Sequence, residues 1–120
     1  MAGGGFEPHV RRAALALRAR RTAMLAGIAR HARGALEVVD SNAGMHLTAW
    51  LARGNHGDCE RLVAHARERG LGLYTVAPYF LKPPPRPGIV LGYAGLPPAD
   101  IEAAMRLLGR CLREVGLMPT

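Results

Sequence analysis

The chain has 120 residues, of which 49% are apolar and 21% charged, a balance that excludes a disordered polypeptide. Its 15 glycines follow no three-residue period, which excludes collagen, and no apolar run approaches the roughly 20 residues that a membrane span needs. The length therefore indicates one globular domain with a core of its own. The net charge of +7 is confined to residues 9–33, which carry seven arginines and no acid. These arginines are Arg11, Arg12, Arg18, Arg20, Arg21, Arg30 and Arg33.

The two cysteines, Cys59 and Cys111, form no CxxC pair. No apolar segment follows the N-terminus in the manner of a secretory signal. We therefore expect free thiols in a cytoplasmic protein.

Helical spacing of apolar residues begins at about Pro8 and ends before Gly34, so a long first helix is predicted after a flexible lead over residues 1–7. Arg21 falls on the apolar stripe of this helix. Either the helix leaves its own core at that point, or it meets a partner that accepts the charge. The stripe consists of Val10, Ala14, Leu17, Met24 and Ile28.

The rest of the chain predicts four strands and two more helices. Residues 36–40 and 45–51 read as an antiparallel hairpin, and residues 73–76 and 88–94 as two further strands, the last apolar on both faces and therefore central. Asp58 is the expected N-cap of the second helix, which ends at Gly70, and the last helix ends at Gly116. The order α-β-β-α-β-β-α predicts an α+β two-layer sandwich, a small antiparallel or mixed sheet with helices on one face.

Side chains that carry chemistry form no recognisable constellation. His56, Cys59 and His65 are possible metal ligands, but Cys59 and His65 lie six residues apart on one helix and point to different faces. Ser41 stands in no nucleophile motif, and the acids are scattered. The residues alone thus predict no catalytic, cofactor or metal site. The arginine-rich helix lacks interleaved aromatics and base-reading amides, so we expect no sequence-specific DNA binding from it.

Four segments, in order and spacing, resemble one family over almost the whole chain. They are residues 6–12 (FEPHVRR), 43–47 (AGMHL), 77–81 (APYFL) and 88–96 (GIVLGYAGL). The set resembles the last portion of MocR-type regulators of the GntR family, which join a winged-helix DNA-binding domain to a domain like the class I/II, fold type I aminotransferases that use pyridoxal phosphate. The resemblance implies that residues 8–120 are the C-terminal small subdomain of that second domain.

The family's Schiff-base lysine lies upstream, in the large subdomain, and Lys82, the sole lysine here, does not align with it. Val90 stands where aminotransferases proper carry an arginine that clamps the substrate carboxylate. By family position, Gly44 and His46 are expected to face the cleft between subdomains. The resemblance also implies pyridoxal phosphate in the full-length family but none in this chain, and a large subdomain or homodimer partner. The residues themselves predict no metal and no membrane.

The expected function is accordingly that of a truncated C-terminal part of a MocR-type regulator, without catalysis on its own. Two alternatives stay open at this point. One is a C-terminal fragment of a true pyridoxal phosphate aminotransferase. The other is a small basic nucleic-acid-binding module.

Overall fold

The computed structural model describes residues 6–39, 46–79, 81–82, 84–93 and 96–119. Within these ranges the helices are α1 (Phe6–His31), α2 (His56–Glu68) and α3 (Pro98–Glu114). The strands are β1 (Leu36–Val38), β2 (His46–Leu51), β3 (Tyr74–Thr75) and β4 (Gly88–Gly92), and a turn of 3₁₀ helix covers Ala77–Tyr79. The predicted order of helices and strands is confirmed. None of the described helices has the length and apolar character needed to cross a membrane.

The strands form an antiparallel sheet in the order β1-β2-β4-β3. The predicted hairpin pairs Leu36 with Leu51, and β4 lies inside the sheet, as its two apolar faces predicted. Ile89 and Leu91 point to one face of β4, while Val90 points to the other and is only 4% exposed. The α+β two-layer fold class is thereby confirmed.

The core lies between one face of this sheet and the three described helices. Alternation along β2 sends Leu47, Ala49 and Leu51 into it, and the apolar faces of α2 and α3 fill it from the other side. The helical residues buried there are Met24, Ile28, Cys59, Leu62, Val63, Ala66, Ile101, Met105, Leu108, Cys111 and Leu112.

Two glycines let α1 and α3 cross at close range. A Cβ at Gly27 would lie 2.6 Å from Cβ of Met105, and a Cβ at Gly109 only 2.3 Å from the backbone oxygen of His31. His31 Nε2 also donates to Glu102 Oε1 at 2.8 Å, across the same crossing. The C-terminal part of α1 is therefore held by backbone proximity as well as by side chains.

The N-terminal half of α1 is packed far less than its apolar stripe predicted. Met24 and Ile28 are buried, but Leu17 is only half-buried and Ala14 is exposed. The helix starts at Phe6, slightly before the predicted Pro8, and residues 1–5 of the predicted flexible lead lie outside the described residues. The stripe thus marks a face that this chain covers only in its second half.

The predicted N-cap of α2 was wrong by three positions. Asn55 caps the helix, and its side-chain oxygen accepts from the backbone amide of Asp58 at 2.9 Å. Asp58 reaches back to accept from the amide of Asn55 at 2.9 Å, which closes a capping box. Its pKa is held below the ordinary value, first by the hydrogen bond from Arg61 and then by the Asn55 amide. Gly70 ends the helix at a φ of +86°, as predicted.

Candidate functional site

The sheet has a second face, opposite the helices, that we call the open face. It carries Glu37, His46, Thr48, Trp50, Tyr74 and Val90, which alternate with the core residues of their strands. In register, Glu37 lies beside Trp50, and Val90 lies between Thr48 and Tyr74. Tyr74 is 53% exposed, so this face offers aromatic surface to whatever covers it.

One end of the open face is fixed by Arg86. Its guanidinium carbon lies 6.0 Å from the centroid of the Trp50 ring, and Nη2 donates to the backbone oxygen of Leu51 at 3.0 Å. The same nitrogen pairs with the carboxylate of Glu37. The positive charge of Arg86 is therefore already met within the chain, and no part of the sequence pattern had indicated this cluster.

The predicted cleft residues fall at the far end of β2. His46 opens the strand, is exposed, and lies opposite Gly92 in register. A Cβ at Gly92 would come no closer than 3.7 Å to the His46 ring, so the glycine leaves one flank of the imidazole clear. Gly44 lies outside the described residues. That these two positions face a cleft stays a prediction.

Val90 offers no ionic grip on a carboxylate. It lies in the middle of β4 on the open face, where its branched side chain is enclosed. A carboxylate is held best by the planar fork of an arginine. Arg86, also at this face, is already bound to Glu37 and Leu51. Val90 is therefore an enclosed apolar residue in the middle of the open face.

The described residues do not fit pyridoxal phosphate by themselves. Lys82 is exposed beside the proline segment. A lysine that attacks carbonyl groups at neutral pH needs desolvation or a neighbouring cation to lower its pKa. No step of cofactor chemistry can be assigned to this chain alone.

A groove runs along the middle of α1, where the exposed N-terminal half of the helix meets the buried C-terminal half. Its volume is about 580 Å³. We call it the α1 groove; its lining residues are Ala14, Leu17, Arg18, Arg21, Thr22, Leu25 and Tyr93. Tyr93, just beyond β4, is buried, and no local pattern around it had indicated that it would meet α1.

Arg21 lies in this groove with one nitrogen unsatisfied. Its Nη1 is buried and has no hydrogen-bond partner among the residues that the structure describes. The neighbouring Arg20 differs, because its Nε donates to the backbone oxygen of Leu96 at 2.6 Å. A buried guanidinium nitrogen without an acceptor is costly. Both explanations for Arg21 on the apolar stripe, a helix that leaves its own core and a partner that accepts the charge, therefore stay predictions.

Cys59 and His65 contact different parts of the molecule, as their spacing on one helix predicted. The Cys59 thiol donates to the backbone oxygen of Gly88 at 3.3 Å, and burial raises its pKa to about 11. His65 Nε2 instead donates to Glu114 Oε1 at 2.8 Å, and this hydrogen bond is the main reason why the pKa of Glu114 is lowered. Cys59 is thus an inert structural thiol.

His65, Cys111 and Glu114 bring potential metal ligands within 4.8 Å of one another. Arg69 Nε lies 3.1 Å from Glu114 Oε1, so a guanidinium already supplies positive charge at this point. Burial also raises the pKa of the Cys111 thiol, which opposes the thiolate that a metal requires. The cluster therefore ties α2 to α3 by ion pairs and is a poor cation site.

The fold places the chain in a definite structural class. The solved α-aminoadipate aminotransferase LysN from Thermus thermophilus, complexed with N-(5'-phosphopyridoxyl)-L-leucine, superimposes with a TM-score of 0.82 at 25% identity, over 93% of this chain and 28% of LysN. The multiple substrate aminotransferase from Thermococcus profundus gives 0.80 at 18% identity, over 95% and 28%. The chain has the α+β fold of the small domain of aminotransferases that use pyridoxal phosphate.

Sequence comparison relates the same chain to transcriptional regulators. The probable rhizopine catabolism regulatory protein MocR of Rhizobium meliloti is 30% identical over 105 residues, which are 88% of this chain and 21% of MocR. The uncharacterized HTH-type transcriptional regulator YhdI of Bacillus subtilis (strain 168) is 25% identical over 105 residues, or 88% and 22%. No family model matches. The chain is thus an aminotransferase-like piece related to MocR-type regulators, and it spans about a fifth of their length.

Proposed function

We propose that this chain acts as the C-terminal small subdomain of a MocR-type regulator, with no catalysis of its own. The observation that carries the proposal is the match of 88% of the chain to two transcriptional regulators, in a fold otherwise found in aminotransferases. The regulator's large subdomain supplies the residues that hold pyridoxal phosphate. The small subdomain supplies a rigid wall over the cofactor cleft.

The open face has the properties of such a wall. Arg86 holds Glu37 and Trp50 at one end, so the surface is ordered before a partner arrives. His46, at the other end, is the exposed polar group that can reach an effector in the cleft. An apolar Val90 between them excludes water without gripping a substrate carboxylate, which suits sensing better than transamination.

The main rival is a fragment of a true aminotransferase. It is favoured by the 25% identity and high structural similarity to LysN. Val90 argues against it, because a substrate carboxylate would find no arginine at that position. A nucleic-acid-binding module is favoured only by the exposed arginines of α1, such as Arg12 and Arg18, and these provide sequence-blind contacts with phosphates. Each of these functions is compatible with a cytoplasmic protein.

A chimera tests the proposal directly. The 105-residue stretch of Rhizobium meliloti MocR that matches this chain is replaced by this chain. Purified chimera is expected to be monodisperse and to bind pyridoxal phosphate, followed by absorbance, within about tenfold of parental affinity, a difference of about 1.4 kcal/mol.

Two controls make the result specific. MocR without the stretch should bind cofactor poorly, and MocR carrying the corresponding part of LysN tests whether any aminotransferase piece suffices. A chimera that behaves like the deletion would refute the proposal. Equal recovery with the LysN piece would remove the preference for a regulator over an enzyme.

A further inference from the structure

We propose that the α1 groove is the docking site of an apolar polypeptide surface that carries a carboxylate, and that this carboxylate pairs with Arg21. The inference deepens the proposed function, on which it rests for the source of the partner, the large subdomain. It begins from the buried Nη1 of Arg21, which lacks a hydrogen-bond partner in the described part of the chain. Arg21 lines the groove, so an acceptor that enters it can pair with the guanidinium once a change of rotamer brings Nη1 out of its buried position.

The lining of the groove specifies a mixed partner. Leu17 and Leu25 present apolar surface, while Arg18 and Arg21 present positive charge. An apolar surface alone would leave the guanidinium of Arg21 buried and unpaired, at a greater cost than in the free chain. A carboxylate set in an apolar surface matches both the charged and the apolar residues of the groove, because it accepts from the guanidinium while its apolar neighbours cover the leucines.

A second copy of this chain does not fill the groove with its own α1. Residues 9–33 carry seven arginines and no acid, so two copies of α1 set face to face would repel each other. The same asymmetry draws an acidic surface towards α1 and speeds its encounter with the groove. The occupant is therefore a polypeptide of opposite charge.

Nucleic acid is a weaker match than an acidic polypeptide. Phosphate contacts come from hydrated, outward-pointing cations such as Arg12, which is exposed. Arg21 is half-buried, and Leu17 and Leu25 line the same groove, so a backbone phosphate would have to give up much of its water to reach it. The aromatic ring of the groove, Tyr93, is itself buried and cannot serve as a platform for stacked bases.

Peptide binding to the intact chain tests the inference. The probe is a fluorescein-labelled amphipathic helix of leucine, alanine and glutamate, with one glutamate on its apolar face; the matched probe carries glutamine there. The variant is Arg21→Met, and the control is Arg12→Met. Arg12 lies nine residues earlier on the helix, about two and a half turns away and so on the opposite side. Both variants remove one charge from α1.

We expect Arg21→Met to weaken the glutamate peptide about tenfold and Arg12→Met less than about twofold, measured by fluorescence polarisation at physiological salt. The glutamine peptide should bind wild type about tenfold more weakly than the glutamate peptide, and Arg21→Met should not weaken it further. Arg21→Lys, which keeps the charge but loses the fork, should recover only part of the affinity. Circular dichroism confirms that each variant is folded.

Three results would overturn the inference. Equal losses for Arg21→Met and Arg12→Met would show that diffuse charge alone attracts the peptide. Equal affinity for the glutamate and glutamine peptides would show that the groove is merely apolar. Random duplex DNA that binds more tightly than the peptide, and depends more on Arg21 than on Arg12, would assign the groove to nucleic acid. The chimera with MocR is independent: its failure beside a positive peptide result removes the proposed function and leaves the groove.

Discussion

Replacing Gly109 with alanine should loosen the crossing of α1 and α3 and lower the free energy of unfolding. The added Cβ would lie 2.3 Å from the backbone oxygen of His31 and 3.0 Å from its carbonyl carbon, both far inside normal contact. Backbone atoms cannot rotate away as a side chain can, so the two helices must separate. Overpacking of this kind costs about 3 kcal/mol, and the better helix propensity of alanine returns about 1 kcal/mol. The net expected loss is about 2 kcal/mol.

Urea unfolding followed by circular dichroism measures this change. Gly72→Ala is the matched control, because its Cβ would meet no atom within 4 Å and Gly72 does not have a positive φ. That variant should be unchanged or more stable by up to about 1 kcal/mol, through the lower entropy of its unfolded chain. If Gly109→Ala proves as stable as wild type, the close crossing of α1 and α3 is not a real constraint and the reasoning fails.

Three further measurements check the local chemistry. The hydrogen bond from His31 is the main reason why the pKa of Glu102 is lowered from its ordinary 4.5. The contribution of ionised Glu102 to stability is therefore present above pH 4.5 and is lost as the pH falls through the folded-state pKa. Urea titrations of Glu102→Gln should show a smaller loss of stability in acid than those of the wild type. Burial raises the pKa of Cys59 to about 11. At neutral pH this thiol should therefore react with a thiol reagent far more slowly in the native chain than in urea. A rapid reaction of Cys59 in the native chain would show that the thiol is accessible. Arg21→Met removes an unpaired buried nitrogen, so it should raise the stability of the isolated chain by about 1 kcal/mol or leave it unchanged. A clear drop in melting temperature would show that Nη1 has a hydrogen-bond acceptor in the chain after all.

The order of the elements was predictable because each depends on neighbours in sequence. The apolar run of β4 and the glycine at position 70 act over a few residues, and both were placed correctly. The cap of α2 was misplaced because Asn55 and Asp58 are both good capping residues, and only the chain's path decides which one precedes the first turn. The sequence pattern therefore limited the N-cap of α2 to these two residues but did not distinguish between them.

Contacts between distant residues could not be predicted in this way. The His31–Glu102 and His65–Glu114 hydrogen bonds join residues 71 and 49 positions apart, and neither has a local pattern. The α1 groove similarly needs Tyr93 to meet a helix from the other end of the chain. Only the charge on the apolar stripe of α1 pointed to it. The cleft position of His46 came from family resemblance, since nothing in its own surroundings in the sequence indicated a role.

The glycine crossing makes α1 a lever arm. The helix has 26 residues, and from Gly27 back to Phe6 it extends about 32 Å at 1.5 Å per residue. At the crossing, Gly27 of α1 packs against the Met105 side chain of α3, and Gly109 of α3 packs against the His31 backbone of α1. Because packing this close resists rolling of one helix on the other, we expect α1 to tilt together with α3. A tilt of about 5° at the crossing would displace the far end by about 3 Å, so small rotations of the body become large excursions at Phe6. Whatever holds the N-terminal end of α1 therefore constrains the orientation of α3 and of the core packed against it.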